Sequence, residues 1–156
     1  SSDVCSSDLS DVAMYLQGVC ESESGETESA IATFSQLEAH YPDSKFVAEA
    51  WLRVGEMQFA AAEYADAAAA YQHAADRAFK TKDRKLYSLA LYKLGWSMFQ
   101  QHNYPDAVKW FLKLIEYEDQ QDATAKADDK RIDLRKEAVD YLAKSLVEPK
   151  IGRAHV

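Results

Sequence analysis

The sequence has few of the residues that interrupt regular structure or build compact chemical sites. Its 156 residues include three prolines, five glycines and two cysteines. The glycines are scattered singly, so no glycine-rich phosphate loop is present. Cys5 and Cys20 form no CxxC motif, and neither a disulfide nor a redox compartment can be inferred from them. No apolar run reaches the roughly 20 residues that a membrane-spanning helix needs.

Signals for catalysis or metal binding are also missing. His40, His73 and His102 fall in no HExxH or paired-ligand spacing. Four glutamates crowd one stretch, and we interpret them as a solvated acidic turn rather than a metal site: Glu21, Glu23, Glu26 and Glu28. Cys20 lies on an apolar helix face, where a cysteine is usually a small buried hydrophobe. We therefore expect no catalytic residue, no metal and no cofactor.

The charge balance argues against one class of partner. The chain carries a formal net charge of −8 at pH 7, whereas a protein that binds the phosphate backbone needs a dense basic face. The basic stretch Lys80–Lys85 is short, and we interpret it as an exposed polar connector. We expect no nucleic-acid partner.

What the sequence does contain is a repeated pattern. Its central copy is Trp51, Gly55, Tyr64, Ala67 and Tyr71, and the next copy is Leu91, Gly95, Tyr104, Ala107 and Phe111. An earlier and less complete copy is Met14, Gly18, Ala30 and Phe34. Self-similarity at a period of this length predicts a stack of helical hairpins, each of which buries its apolar face against its neighbours.

Apolar spacing and turn residues predict seven helices and no strands. The helices are Ser10–Glu21, Thr27–His40, Lys45–Ala61, Tyr64–Phe79, Leu86–Gln101, Tyr104–Asp119 and Ile132–Glu148. Asp43 or Ser44 should cap the third helix. The polar stretch DQQDATAKADDKR predicts either a solvated loop or an extension of the sixth helix.

The glycines inside these helices need a reason to be there. Glycine costs about 0.5–1 kcal/mol in a helix interior relative to alanine. We expect Gly55 and Gly95 to allow close approach of the paired helix, with Ala67 and Ala107 as their small counterparts across each hairpin.

These residues resemble the tetratricopeptide repeat, a helix–turn–helix unit. The first unit departs from the family pattern at Gln17 and Thr27, and the third has Leu114 where a small residue is usual. The resemblance implies an all-α fold, an α-solenoid of three helix pairs plus one additional helix, over residues 10–149. Its units are about 11–44, 48–81 and 88–121, with a partial fourth at 132–148.

Both ends stand apart from this array. Residues 1–9, SSDVCSSDL, and residues 150–156, KIGRAHV, resemble translated sequencing adapters and are expected not to be native. We expect these tails not to pack against the repeats. The last helix would then have no second helix to cover Val139, Leu142 and Leu146, and self-association through the uncapped ends is expected.

The resemblance also implies a function. In this family the first helices of successive pairs line a concave groove that binds peptides from partner proteins. The residues at groove positions are Tyr15, Val19, Leu52, Glu56, Phe59, Tyr92, Trp96 and Phe99. We expect Tyr92 and Trp96 to be exposed. Phe59 and Phe99 could serve the groove or be packed between repeats, and the sequence leaves both readings open.

The expected function is therefore a protein-interaction scaffold without enzymatic activity. The motif YPDS and the repeat spacing, as from Gly55 to Gly95, are similar to bacterial envelope proteins of this class, which favours the periplasm or the outer membrane. A cytoplasmic adaptor is the alternative location. The alternative function is a regulatory or substrate-docking arm of a larger enzyme whose catalytic domain lies outside this sequence.

Overall fold

The chain folds into successive helices joined by short turns. The computed structural model describes the backbone of residues 2–124 and 133–154 and the side chains of residues 9–124 and 133–148. Within these ranges there are seven helices and no strand: α1 Ser2–Glu23, α2 Thr27–His40, α3 Val47–Ala60, α4 Tyr64–Lys80, α5 Arg84–Gln100, α6 Tyr104–Thr124 and α7 Arg135–Ala154. Each helix packs against the next one along the chain. The predicted all-α solenoid of three pairs and one further helix is confirmed.

The third helix begins later than the sequence suggested. The N–H of Ser44 donates to the carbonyl of Tyr41 at 3.0 Å, and the N–H of Val47 donates to the carbonyl of Ser44 at 3.2 Å. These bonds form a turn that delays α3 to Val47. The Oγ of Ser44 accepts from the N–H of Phe46 at 3.2 Å, so Ser44 stabilises the turn and does not cap the helix itself.

The predicted connector Lys80–Lys85 is shorter than expected, because only residues 81–83 join the two helices. Helix α4 includes Lys80, and α5 already begins at Arg84. The carboxylate of Asp83 accepts from the N–H of Leu86 at 3.0 Å and caps α5. Helices α4 and α5 each have 17 residues, whereas α2 and α3 have 14. The wider spacing of the later repeats therefore comes from longer helices and not from a longer loop.

The terminal helices run beyond their predicted outer ends, although α7 begins at Arg135, later than predicted. Helix α1 starts at Ser2 and α7 ends at Ala154, so helical backbone continues into both tails. Leu9 is 71% exposed, and the side chains of the other tail residues lie outside the described ones. That the tails do not pack stays a prediction. Helix α6 extends to Thr124, which makes the start of the polar stretch a helix extension.

Four turns share one helix-ending motif. Its central residue has a positive φ, and the four residues are Gly25, Ala62, Lys82 and His102. In each turn this residue donates its N–H to the carbonyl three residues back, and the next residue donates to the carbonyl five back. This is the Schellman arrangement, which satisfies the last carbonyls of a helix. Three of the four turns use a residue with a side chain where glycine is favoured.

A glycine in the first helix of each pair contacts an aromatic ring in the second helix of the same pair. A Cβ on Gly55 would lie 2.5 Å from the ring of Tyr71, and a Cβ on Gly95 would lie 2.7 Å from the ring of Phe111. Gly18 has the same relation to Phe34. The expectation that Ala67 and Ala107 are the counterparts is therefore wrong. Those alanines are buried in the core, but the rings occupy the space that the glycines leave.

The core continues from pair to pair. One cluster of buried residues spans α1 to α4 and a second spans α3 to α7, and Trp51 packs against both. The alanines on the inner face of α4 are small, so α3 and α5 can each pack closely against α4. Leu114 is fully buried although a small residue is usual there.

The outer face of α7 carries exposed apolar residues among charged ones. Val139, Leu146 and Val147 are exposed, as expected for the first two, whereas Leu142 is partly buried against the core. Self-association through this face stays a prediction.

We expect Gly55→Ala to destabilise the protein by about 1–3 kcal/mol, because the new methyl group overlaps a ring that is fully buried and cannot move aside. Urea denaturation followed by circular dichroism measures the change. Ala69→Leu, on the exposed side of α4, is the control and should change the free energy of unfolding by less than about 0.5 kcal/mol. Equal small effects would contradict the glycine–ring contact.

We expect Ala62→Gly to stabilise the protein by several tenths of a kcal/mol and up to about 1 kcal/mol. The left-handed conformation at φ 60° costs a residue with a Cβ about 1–2 kcal/mol, part of which is offset by the backbone entropy of glycine. Its neighbour Ala61 has a φ of −80°, and Ala61→Gly should destabilise. Urea denaturation measures both variants. A shift of the two unfolding midpoints in the same direction would rule out this account of the turn.

Candidate partner-binding face

The first helices of successive pairs form a continuous layer. Helix α1 contacts α3, α3 contacts α5, and α5 contacts α7, whereas the backbones of α2, α4 and α6 stay farther apart within the described residues. All eight predicted groove residues lie on α1, α3 and α5. We call this layer the first-helix face.

The predicted groove residues differ in how far they reach the surface. Tyr15 and Leu52 are each 7% exposed and belong to the core. Glu56 is exposed, and the remaining five, Val19, Phe59, Tyr92, Trp96 and Phe99, are partly buried. Tyr92 and Trp96 were expected to be exposed, and this expectation is wrong because both are partly buried.

Polar contacts occupy the half of the first-helix face near the N-terminus. The ring of Tyr15 stacks on Phe46 at a centroid distance of 4.8 Å, and its hydroxyl accepts from Nε of Arg53 at 3.2 Å. Burial, with the nearby Glu49 carboxylate, raises the pKa of Tyr15. Arg53 also pairs with Glu23 of the preceding unit at 3.8 Å. This contact ties the first two units together.

The same repeat position carries a cation in the next unit. Lys93 aligns with Arg53 in the repeat, and its Nζ is 3.7 Å from the Glu56 carboxylate on α3. It also sits 5.8 Å from the centre of the Trp96 ring. A basic residue at this position therefore reaches back to an acidic residue of the preceding unit at both junctions.

Aromatic rings occupy the other half of the face. Trp96 packs on Phe59 of the preceding unit at 4.5 Å between centroids. Tyr141 of α7 contacts Trp96 at 6.2 Å, Tyr92 at 6.3 Å and Phe99 at 5.5 Å. We call Phe59, Tyr92, Trp96, Phe99 and Tyr141 the aromatic band.

Tyr141 explains why the band is only partly exposed. It covers one side of Tyr92 and Trp96, and the indole N–H of Trp96 is enclosed without a hydrogen-bond partner among the described residues. Phe59 and Phe99 are packed between successive units, and both retain some exposure. They are packing residues and surface residues at once.

Sequence reasoning missed three residues of this face: Arg53, Lys93 and Tyr141. The recurrence of a basic residue at the same repeat position was a signal for the first two. Tyr141 could have been found as an aromatic residue on the inner side of the partial fourth unit, next to Leu142.

The opposite side of the first junction is held by one carboxylate. Oε2 of Glu38, on α2, accepts from Nε1 of Trp51 at 2.7 Å and lies 2.8 Å from Nε2 of His73. Its Oε1 accepts from Nε of Arg77 at 2.7 Å and from Nη2 of the same guanidinium. Burial opposes ionisation, but the bonds from His73, Arg77 and Trp51 outweigh it and lower the pKa of Glu38.

The described residues offer no other obvious chemistry. No group of three potential metal-ligating side chains occurs among them. Cys20 is exposed, which contradicts the expectation of a buried cysteine, because it lies on the outer side of α1. Glu21 of the acidic turn accepts from the hydroxyl of Thr33 at 2.6 Å. None of the described helices is apolar over a length that would cross a bilayer.

Comparison with known families agrees with this geometry. Two family models, each described as a tetratricopeptide repeat, match residues 12–44 and residues 60–124. The chain is a tetratricopeptide repeat protein. A search of curated proteins returns no match to the chain. Repeats of this family mediate protein–protein interaction, and the first-helix face is the surface to consider for it.

We expect the Glu38 network of this repeat protein to make its stability depend on pH. We expect Glu38→Gln to cost about 1–3 kcal/mol at pH 7, because the charge-assisted bonds from Arg77 and His73 are weakened. The folded-state pKa of Glu38 lies below its ordinary value of 4.5. Its stabilisation is therefore complete above that value and is lost as the pH falls through the folded-state pKa.

Urea denaturation from pH 7 to pH 3 should show the wild-type and Glu38→Gln curves converging at the acidic end. Glu63→Gln, an exposed carboxylate without a side-chain capping bond, serves as the control and should track the wild type throughout. A difference between wild type and Glu38→Gln that does not change with pH would contradict this role of the carboxylate.

Proposed function

We propose that this protein is an interaction scaffold that binds a segment of a partner protein along its first-helix face. The observation that carries the proposal is the aromatic band, whose rings lie side by side across three units and keep part of their surface accessible. Partly buried aromatic residues are the side chains most often found at the energetic centre of protein interfaces.

The composition of the face supports a partner with two kinds of side chain. Apolar side chains would pack on the aromatic band. Polar side chains would meet the Glu49–Arg53 pair in the half near the N-terminus and the Glu56–Lys93 pair beside Trp96. Because the rings are held by packing, little ordering entropy is lost on binding.

We further propose that this scaffold acts in bacterial envelope assembly. The support is the resemblance of the YPDS motif and the repeat spacing to envelope members of the family, which is an argument by analogy. The complete reading frame tests it. A signal peptide and a lipid-bearing cysteine would support an envelope location, and a flanking catalytic domain would contradict the scaffold role.

Site-specific photo-cross-linking tests the binding face. A photoreactive amino acid at the exposed position Glu56 should trap one defined partner in cells that carry the native gene. The same amino acid at Gln72, exposed on the second-helix side, is the matched control and should not. Trapping from Gln72 alone would place the partner on the opposite side and contradict the proposal.

Trp96→Ala provides a second readout in the same experiment. Removing a central interface aromatic typically weakens binding by about 2 kcal/mol or more, so cross-linking from Glu56 should fall sharply. Because Trp96 also packs on Phe59 and Tyr141, a thermal melt must show that the variant is folded at the temperature used. A folded variant that cross-links like wild type would exclude the aromatic band.

A further inference from the structure

A second candidate surface lies on the other side of the molecule, between the second helices α4 and α6. A cleft of about 580 Å³ separates these helices. It is lined by Asp76, Phe79, Lys80, Tyr87, Lys113, Glu116, Tyr117 and Gln120. The cleft shares no residue with the aromatic band or with the predicted groove residues, so its function is independent of the one proposed above.

Aromatic rings form part of the lining of this cleft. Tyr87 packs edge-to-face against Tyr117 at 4.5 Å between centroids and contacts Phe79 at 5.3 Å. Phe79 is 61% exposed. Tyr87 is buried and Tyr117 is partly buried, so the open apolar surface at the junction of the second and third units is mainly that of Phe79.

The equivalent gap at the preceding junction is closed by the chain itself. Between α2 and α4, the guanidinium of Arg77 binds the Glu38 carboxylate, and His73 and Trp51 complete the contact. One repeat later, the residue aligned with Arg77 is Tyr117 and the residue aligned with Glu38 on α4 is Ala75. The second junction therefore has neither this guanidinium nor its carboxylate.

Two carboxylates line the second cleft instead. Asp76 on α4 and Glu116 on α6 stand at the same position of successive repeats. Neither forms an ion pair with any residue that the structure describes. Asp76 lies near the rings, since burial and the neighbouring Tyr117 raise the pKa of Tyr87 and the charge of Asp76 adds to them.

Lys80 and Lys113 line the same cleft, and within the described residues neither forms an ion pair with Asp76 or Glu116. Nζ of Lys113 lies 5.1 Å from the centre of the Trp110 ring. Lys80 is the last residue of α4, where a cation interacts favourably with the helix C-terminus. The carboxylates of Asp76 and Glu116 thus remain available to a cationic ligand beside an aromatic surface.

We infer that the cleft between α4 and α6 receives an arginine side chain of a protein partner. A guanidinium is planar and weakly hydrated, stacks on aromatic rings and donates hydrogen bonds to carboxylates in its own plane. It would stack on the exposed ring of Phe79 and donate to Asp76 and Glu116. The partner would supply the group that Arg77 supplies within the chain at the first junction. The net charge of −8 favours approach of such a basic partner.

Heteronuclear NMR titration with N-acetyl-arginine amide tests this inference on the intact chain. The amide signals of Asp76, Tyr87, Glu116 and Tyr117 should shift together and saturably. N-acetyl-citrulline amide, which has nearly the same shape without the charge, and N-acetyl-lysine amide, which has the charge without the plane, should each bind at least about threefold more weakly.

Paired variants identify the carboxylates. Asp76→Asn combined with Glu116→Gln should abolish the saturable shifts while leaving the melting curve nearly unchanged. Glu63→Gln combined with Asp66→Asn removes two exposed charges from the start of α4, and this control should bind arginine amide like wild type. Glu56→Lys, on the first-helix face, should also leave the arginine response intact.

Several results would overturn the inference. These are shifts spread over acidic residues throughout the chain, equal responses to arginine and citrulline, and unchanged binding by the Asp76–Glu116 double variant. Preferential binding of N-acetyl-glutamate amide near Lys80 and Lys113 would show a site for the opposite charge. If Glu56→Lys lost the NMR response to arginine amide, the arginine site would lie on the first-helix face and not in the cleft. That result would leave open whether the first-helix face binds peptides.

Discussion

The contact between a helix glycine and an aromatic ring sets the geometry of every pair. Gly18, Gly55 and Gly95 each leave room for a ring of the paired helix, so the two helices cross at a distance that a Cβ would prevent. The same rings position the first-helix face. Phe34 contacts Tyr15 at 6.1 Å, and Phe111 contacts Tyr92 at 6.2 Å and Tyr141 at 5.8 Å. The packing that closes each hairpin therefore also orients residues of the candidate binding face.

The junctions between pairs are built differently although the pairs are alike. Ion pairs and hydrogen bonds around Glu38 close the second-helix side of the first junction. Aromatic contacts and an open cleft mark the same side of the second. The first-helix side also changes from polar to aromatic contacts along the chain. Tyr15 and Arg53 form a polar contact towards the N-terminus, and aromatic rings surround Tyr141 towards the C-terminus. The polar contacts close the first junction on its second-helix side, whereas the aromatic contacts of the second junction leave a cleft open.

Periodicity alone was enough to predict the helices whose ends carry turn signals. Thr27–His40 was predicted to the residue, because Gly25 precedes it and Pro42 follows it. The start of α5 was missed because Arg84 and Lys85 look like loop residues, whereas Asp83 caps the helix directly before them. The helical backbone of the terminal segments could not be read from their polar sequences.

The candidate site was predictable in position but not in exposure. Repeat spacing placed all eight residues on the first helices, but burial depends on what packs across the face. Tyr141 reaches Trp96 only because α7 follows α5 in the stack, so the contact joins residues that are far apart in the chain. The pairing of Gly55 with Tyr71 was missed because small residues opposite one another are the simpler expectation. Tyr71 was itself part of the repeated pattern in the sequence.

A double-mutant cycle on the third unit tests the glycine–ring contact most directly. Gly95→Ala, Phe111→Leu and the double variant would be compared with wild type by urea denaturation. If the ring fills the space that the glycine leaves, the alanine should be far less damaging once the ring is gone, with a coupling energy of about 1 kcal/mol or more. Additive effects within about 0.3–0.5 kcal/mol, the range seen for independent sites, would show that the contact does not set the geometry of the pair.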